Sequence, residues 1–201
     1  FIPVHHIRGH IAANYLAFED LKPPFLTLVA SGGHSMMVLV KDYTEFEILG
    51  GTRDDAAGEA FDKVARVLGV GYPGGPKIDK MAQGGDASKY KLPHSKVKGA
   101  PLDFSFSGLK TAVINLAHNA EQKGETIDKS ALAAAFCNAV VDTLVPRLEL
   151  AQKQTGVKNI VCAGGVAANS WLRKELEDMA KKNKLNLYLP PLSLCGDNAA
   201  M

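Results

Sequence analysis

The sequence has few cysteines, no long apolar run and almost no excess of charge, and each shortage excludes a class of protein. Cys137, Cys162 and Cys195 are three in number and widely spaced, with no Cys-x-x-Cys pair. Neither a disulfide framework nor a cysteine zinc site is indicated, no disulfide partner is expected, and a reducing, cytoplasmic setting fits. The longest apolar stretch, Ala131 to Cys137, is cut by Asn138 and falls far short of the roughly 20 residues that span a bilayer, so no membrane helix is expected. The balance of 23 basic against 21 acidic residues leaves a formal charge of +2, too little for nucleic acid or an anionic membrane to bind by bulk electrostatics. Any RNA contact must then come from a local patch. No internal repeat occurs at solenoid periods. Phe1-Ile-Pro-Val has neither an initiating Met nor the charged start of a signal peptide, and the chain stops at Ala-Ala-Met201 just after an Asp-Asn pair, so both ends are expected to be cut.

What is present suffices for a packed core: 201 residues, 46% apolar and 22% charged, as in ordinary soluble domains. After a short extended Ile-Pro-Val, helical spacing runs from His6 to about Leu21 and stops at Pro23-Pro24. Phe25 to Ala30, Met36 to Val40 and Phe46 to Leu49 read as a short β-meander. A helix is predicted from Ala56 to Gly69, with Asp54 or Asp55 as its cap, and Gly71 to Pro76 as the rigid turn that ends it. Two long helices follow, Ser107 to about Gln122 and Asp128 to about Thr155, the second carrying Pro146; together they are expected to supply most of the core. Strand Asn159 to Ala163, turn Gly164-Gly165, helix Val166 to Lys182 and strand Leu185 to Leu189 form a terminal β-α-β unit.

Three groups of residues point to chemistry. His6 and His10 are four apart, so a helix puts both imidazoles on one face at a spacing suited to one metal ion, although such pairs are often only a solvated face. Asp197, in Cys195-Gly-Asp-Asn198, is a candidate third ligand or a helix cap. Zinc proteases of the His-Glu-x-x-His type need the glutamate as general base, and here Ile7, Arg8 and Gly9 fill the gap. The glycine turns Ser31-Gly32-Gly33-His34 and Gly164-Gly165-Val-Ala-Ala-Asn169 each follow an apolar strand. Their bare backbone could approach a phosphate, or they could be tight connections only. Asn169 is read as lying one turn into its helix. In Asp54 to Lys63, Glu59 and Asp62 share one helix face and could both accept hydrogen bonds from a ribose; Gly74-Gly75-Pro76-Lys77-Ile-Asp79 could add a backbone wall and another carboxylate, or be only a loop. Positive charge is densest at Lys89, Lys91, Lys96 and Lys98, which with Lys110 form the candidate RNA contact, although solvated loop lysines would look the same.

These residues resemble a known family. His5 to His10, Ser31 to His34, Asp54 to Lys63, Tyr72 to Pro76, Phe106 to Ala112, Gly164 to Asn169 and Gly196 to Ala200 are similar, in order, to the successive signatures of the tRNA threonylcarbamoyladenosine transferase (TsaD) family. The resemblance runs nearly end to end. It implies an α/β fold of the actin and sugar-kinase type, with residues 1–201 forming most of the second lobe plus the metal and nucleotide cleft, and with the first lobe and the carboxy-terminal end absent. It implies one divalent metal ion held by His6, His10 and Asp197, iron(II) by the family's pattern, with zinc or magnesium able to replace it in vitro. It places the substrate on Val29, Ala30, Ser31, Gly32, Gly33, Asp62, Gly75, Asp79 and Asn169.

The activity implied is transfer of the threonylcarbamoyl group from threonylcarbamoyl-AMP to the N6 amine of adenosine 37, in tRNAs that read codons starting with A. No side chain is assigned as nucleophile; Ser31 and His34 have suitable residue types only. The partners implied are tRNA and, in bacteria, a TsaB-type paralogue and a TsaE-type ATPase, with no membrane. Arg8, inside the histidine motif, departs from the family's pattern and could stand beside the metal. The competing readings are a metalloprotease, the family's older label, and a nucleotide-binding paralogue without chemistry.

Overall fold

The computed structural model describes residues 3–94 and 97–198. Phe1, Ile2, Ser95, Lys96 and Ala199 to Met201 lie outside the described residues. With them go part of the expected first extended segment, Lys96 of the lysine patch and the last residues of the Gly196 to Ala200 segment.

A five-stranded mixed sheet carries the fold. Its strands are β1 (Phe25–Ala30), β2 (Ser35–Val40), β3 (Phe46–Gly51), β4 (Asn159–Ala163) and β5 (Asn186–Tyr188), in the order β3-β2-β1-β4-β5. The meander β1-β2-β3 is antiparallel, and β4 runs parallel to both β1 and β5. All six residues of β1 are buried, as a central strand covered on both faces requires, which is why its sequence is a continuous apolar run. Its alternation sorts the core: Leu26, Leu28 and Ala30 face the main helical layer, while Phe25 and Val29 join Ile7 and Ile11 of α1 (His6–Ala17) on the other face.

The main layer contains α2 (Ala57–Val67), α3 (Gly74–Ala82), α5 (Lys129–Thr155) and α6 (Ser170–Asn183). At its centre is α5, capped by the Asp128 carboxylate on Ala131 N–H at 3.0 Å and ended by Gly156 in the left-handed region at φ 70°. Its length and composition would allow it to cross a bilayer, but most of its apolar surface is buried in this fold. Pro146 sits inside α5 without ending it.

Several sequence expectations need correction. Helix α1 ends at Ala17 rather than Leu21, because Phe18 turns extended, its ring 5.2 Å from Tyr188, and Leu21 is buried against the sheet. The segment 71–76 does more than end α2. Its Gly74, Gly75 and Pro76 form the first turn of α3, where the N–H that proline lacks has no intrahelical partner anyway. Asp54 and Asp55 do not cap α2: Ser35 Oγ accepts from Ala57 N–H at 2.9 Å instead. Asp54 takes Phe106 N–H at 2.8 Å and Ser107 N–H at 3.2 Å at the start of α4 (Ser107–Lys123). That helix contributes only Leu109 and Val113 to the buried core, so the pair does not supply most of it: α5 gives a large share, and the strands and α2 give much of the rest.

Candidate functional site

The start of α1 is fixed by His5, whose Nδ1 accepts from Ile7 N–H at 3.2 Å. This orients the first turn so that the His6 and His10 rings meet edge to face, 4.6 Å apart. Asp197, 187 residues after His10, reaches the pair from beyond the short turn Leu192–Leu194. Its Oδ1 lies 3.1 Å from His10 Nε2 and 3.7 Å from His6 Nε2. One ligand atom from each of the three residues falls within 4.8 Å of the others.

The state of His10 is informative. It is 2% exposed, and among the described residues neither ring nitrogen has a partner in hydrogen-bonding geometry, even though Nε2 is close to Asp197. Leaving a buried polar group unsatisfied costs about 1–3 kcal/mol, and a metal ion coordinated there would relieve it. Burial, and then the neighbouring His6, push the His10 imidazole below its ordinary 6.5, while Asp197 pulls the other way. The neutral form that ligates metals is thereby favoured. Two imidazoles and a carboxylate are a donor set suited to iron(II) or zinc. Arg8 takes no part, since its guanidinium sits 4.6 Å from the centre of the Phe46 ring.

Beside this cluster opens a cleft of about 740 Å³. Of the residues expected to touch substrate, it is lined by Gly32, Asp62, Gly75, Asp79 and Asn169. Val29 and Ala30 do not line it; their side chains are core, one on each face of the sheet. Ser31 lies beneath the turn, where its Oγ accepts from His34 N–H at 3.1 Å and donates to His34 C=O at 3.3 Å. That engages the hydroxyl with the backbone of His34, not its imidazole, so the two form no nucleophile and base pair. Gly33 is exposed on the turn without lining the cleft. Glu59 is tied to Lys63 at 2.7 Å and does not join Asp62.

Asn169 is the N-cap of α6, not a residue one turn inside it. Its Oδ1 accepts from Leu172 N–H at 2.9 Å, and its Nδ2 donates to Asp79 Oδ1 at 3.0 Å. Ser170 adds its N–H and Oγ to the same Asp79 oxygen, at 3.1 and 2.8 Å. Asp62 Oδ1 accepts from Gly74 N–H at 2.7 Å, joining α2 to the start of α3. Among the described residues no protein donor reaches Oδ2 of either aspartate. Two carboxylates with open acceptor oxygens suit hydroxyl donors such as a ribose diol.

A Cβ built on Gly32, Gly75, Gly165 or Gly196 would enter open space, and all four line the cleft. The bare backbone there leaves room for a ligand to approach main-chain N–H groups, two of them at the starts of α3 and of the turn Gly165–Ala168. Gly196 lines the cleft and Asp197, the next residue, belongs to the histidine cluster, so cleft and cluster adjoin. Sequence reading missed Tyr72, Lys80, Leu192 and Cys195 in the lining; only Tyr72 and Cys195, inside or beside recognised segments, carried any signal. Burial holds the thiols as neutral S–H, pushing Cys137 and Cys162 up to about 12 and raising Cys195, so none is an activated nucleophile.

Comparison with solved structures places the fold. The chain superimposes on full-length HypF in its phosphate- and nucleotide-bound form with a TM-score of 0.72, at 16% identity, over 97% of this chain and 34% of that one. Component A of (R)-2-hydroxyglutaryl-CoA dehydratase from Acidaminococcus fermentans gives 0.53 at 16% identity, covering 94% and 62%. The chain thus shares its mixed α/β fold with these proteins, the actin-like type expected from the sequence.

Sequence comparison is more specific. The chain is 54% identical over 200 residues to the tRNA N6-adenosine threonylcarbamoyltransferase of Clostridium botulinum (strain Hall), covering 100% of this chain and 59% of that protein. It is 50% identical over 201 residues to the enzyme of the same name from Caldicellulosiruptor saccharolyticus, with the same coverage. The chain therefore spans about three fifths of the length of these relatives. The family model TsaD: tRNA N6-adenosine threonylcarbamoyltransferase matches residues 1–201, so the chain, from its histidine pair to its Asp-Asn segment, belongs to that family.

Proposed function

We propose that the protein transfers a threonylcarbamoyl group from threonylcarbamoyl-AMP to the N6 amine of adenosine 37 in tRNAs reading codons that start with A, releasing AMP. The observation that carries this reading is the junction at Gly196-Asp197, where a cleft suited to a nucleotide meets a cluster suited to a metal ion. A mixed carbamic-phosphoric anhydride is already activated. The protein then has to orient a weakly nucleophilic amine and accommodate negative charge that develops on the leaving phosphate.

The chain's own residues divide this work. Asp62 and Asp79 present acceptor oxygens for ribose hydroxyls. Asp79 is held in place by Asn169 and Ser170, so its orientation is set before a ligand arrives. The glycines of the lining leave space for phosphate against the backbone N–H groups of two helical starts. His6, His10 and Asp197 would hold the divalent ion, iron(II) in the proposed native state. When bound, the ion supplies positive charge and open coordination positions for substrate oxygens. No protein nucleophile is invoked: transfer is direct, and trapping a covalent threonylcarbamoyl-protein would refute that.

The proposed partners are tRNA and, if the source is bacterial, a TsaB-type paralogue and a TsaE-type ATPase, in a cytoplasmic setting. The deciding experiment supplies the intact protein with these partners, threonylcarbamoyl-AMP and unmodified tRNA, and reads the digested nucleosides by mass spectrometry. Threonylcarbamoyladenosine should form, and should be lost with His6→Ala and Asp197→Ala. No product from folded, metal-loaded protein would favour a binding paralogue instead.

A further inference from the structure

Near the histidine cluster stands a side chain that belongs neither to the ligand set nor to the lining of the cleft. His34 closes the turn between β1 and β2, and its backbone is tied three times to one residue. Its C=O accepts from Ser31 N–H at 2.7 Å and from Ser31 Oγ at 3.3 Å, and its N–H donates to that Oγ at 3.1 Å. The imidazole itself is exposed, and its centroid lies 6.4 Å from that of His6. Gly32, two residues earlier in the same turn, lines the cleft. The ligand set drawn together within 4.8 Å contains His6, His10 and Asp197 but not His34.

We infer that His34 is a substrate-contact residue: its imidazole donates a hydrogen bond to the acyl part of the ligand where that part passes from the cleft toward the histidine cluster. This rests on the proposed reading of the cleft as a site for an acyl-adenylate. The backbone of the turn is already held by Ser31, so binding costs only the rotational freedom of the side chain, and an imidazole carries at least one N–H donor in either protonation state. The threonylcarbamoyl group offers carbonyl, hydroxyl and carboxylate oxygens as acceptors, and AMP, which lacks it, cannot make this contact. His34 therefore separates substrate from product.

The test measures equilibrium binding of AMP and of a non-hydrolysable threonylcarbamoyl-adenylate analogue to the intact, metal-loaded protein with its partners. Wild type, His34→Ala and His34→Asn are compared, with metal content determined for each. His34→Ala should weaken the analogue about tenfold while leaving AMP affinity and metal stoichiometry unchanged, and His34→Asn, which keeps a side-chain N–H, should recover part of the loss. Equal weakening of AMP and analogue would assign the effect to the turn and overturn the inference. Loss of metal would make His34 a ligand and overturn it as well, and so would unchanged binding of both compounds. Failure of the wild type to bind either compound would instead refute the reading of the cleft, a result separable from the others.

Discussion

Asp79 of α3 and Asn169, the N-cap of α6, are 90 residues apart in sequence and joined by a 3.0 Å hydrogen bond at the edge of the cleft. The same amide caps α6 through Leu172 N–H, so one side chain both starts a helix and orients a carboxylate.

Replacing Asn169 by Asp separates those two roles. Aspartate caps a helix as well as asparagine does, so α6 should still form. The variant, however, faces Asp79 with a second carboxylate in place of a donor. Chemical denaturation at neutral pH should show a loss of about 1–3 kcal/mol, shrinking as the pH is lowered and the pair takes up a proton. A loss independent of pH would mean that capping, not the Asp79 contact, dominates.

Two glycines make opposite predictions for the same change to alanine. A Cβ on Gly58 would come within 2.7 Å of Ser31 O and 2.8 Å of the Gly32 backbone. That backbone cannot give way without moving the turn, so Gly58→Ala should cost about 1–3 kcal/mol, although alanine is ordinarily the better helix residue. At Gly75 a Cβ meets nothing within 4 Å. Gly75→Ala should leave thermal stability equal or higher and weaken AMP binding, because the methyl group occupies the cleft. Thermal melts paired with AMP titrations distinguish the two, and the same response from both variants would defeat the argument.

Acid sensitivity should centre on Asp55. Burial raises its pKa, but hydrogen bonds from Lys110 at 2.7 Å and Lys63 at 2.8 Å outweigh it, and the carboxyl titrates below its ordinary 3.8. A carboxylate whose folded pKa is depressed contributes stability that is fully present above the unfolded value and disappears as the pH falls through the folded one. Denaturation midpoints of the wild type should therefore drop steeply below about pH 4, and Asp55→Asn should be less stable at pH 7 with a flatter acid limb. Parallel acid limbs for the two proteins would count against Asp55.

The lysine patch gives a weaker prediction, because the structure already engages part of it. Lys89 pairs with Asp128 at 3.0 Å and Lys110 with Asp55 at 2.7 Å. The contact proposed for tRNA phosphates thus narrows to Lys91 and Lys98, both exposed, together with Lys96. Replacing these three by alanine should lower tRNA affinity and reduce its salt dependence by about one counterion per lost contact. Unchanged affinity and salt slope would remove the patch from consideration.

Much of this fold could be read from sequence because its strands and helices announce themselves locally. The continuous run of β1 marks a strand covered on both faces, and Asp128 and Gly156 bracket α5 at its cap positions. Long-range partners could not be read this way. That Asp54 serves α4 and not the adjacent α2, or that Asn169 reaches back to Asp79, depends on contacts across 50 to 90 residues that no local spacing encodes. The histidine pair was legible from its spacing of four, whereas the residues alone left Asp197 open between a third ligand and a helix cap, and only the family resemblance chose the ligand. His34 is legible only as a member of a glycine turn with a reactive residue type, because nothing local shows how close that turn lies to α1.

The metal assignment makes its own prediction, because the three ligands differ so much in burial. The Asp197 side chain is 78% exposed and that of His10 only 1%. In metal-free protein, Asp197→Ala should therefore change stability by less than about 0.5 kcal/mol, whereas His10→Ala removes a core side chain and should cost more. Added metal reverses the weighting. An ion that binds only the folded state stabilises it by about 2.7 kcal/mol at a hundredfold excess over its dissociation constant. Both variants, and His6→Ala, should lose that increment. Thermal unfolding with and without iron(II), zinc or magnesium, alongside metal analysis of the purified proteins, measures both effects. If Asp197→Ala kept the full metal-dependent increment, the carboxylate would not be a ligand, and its 3.1 Å approach to His10 would need another explanation.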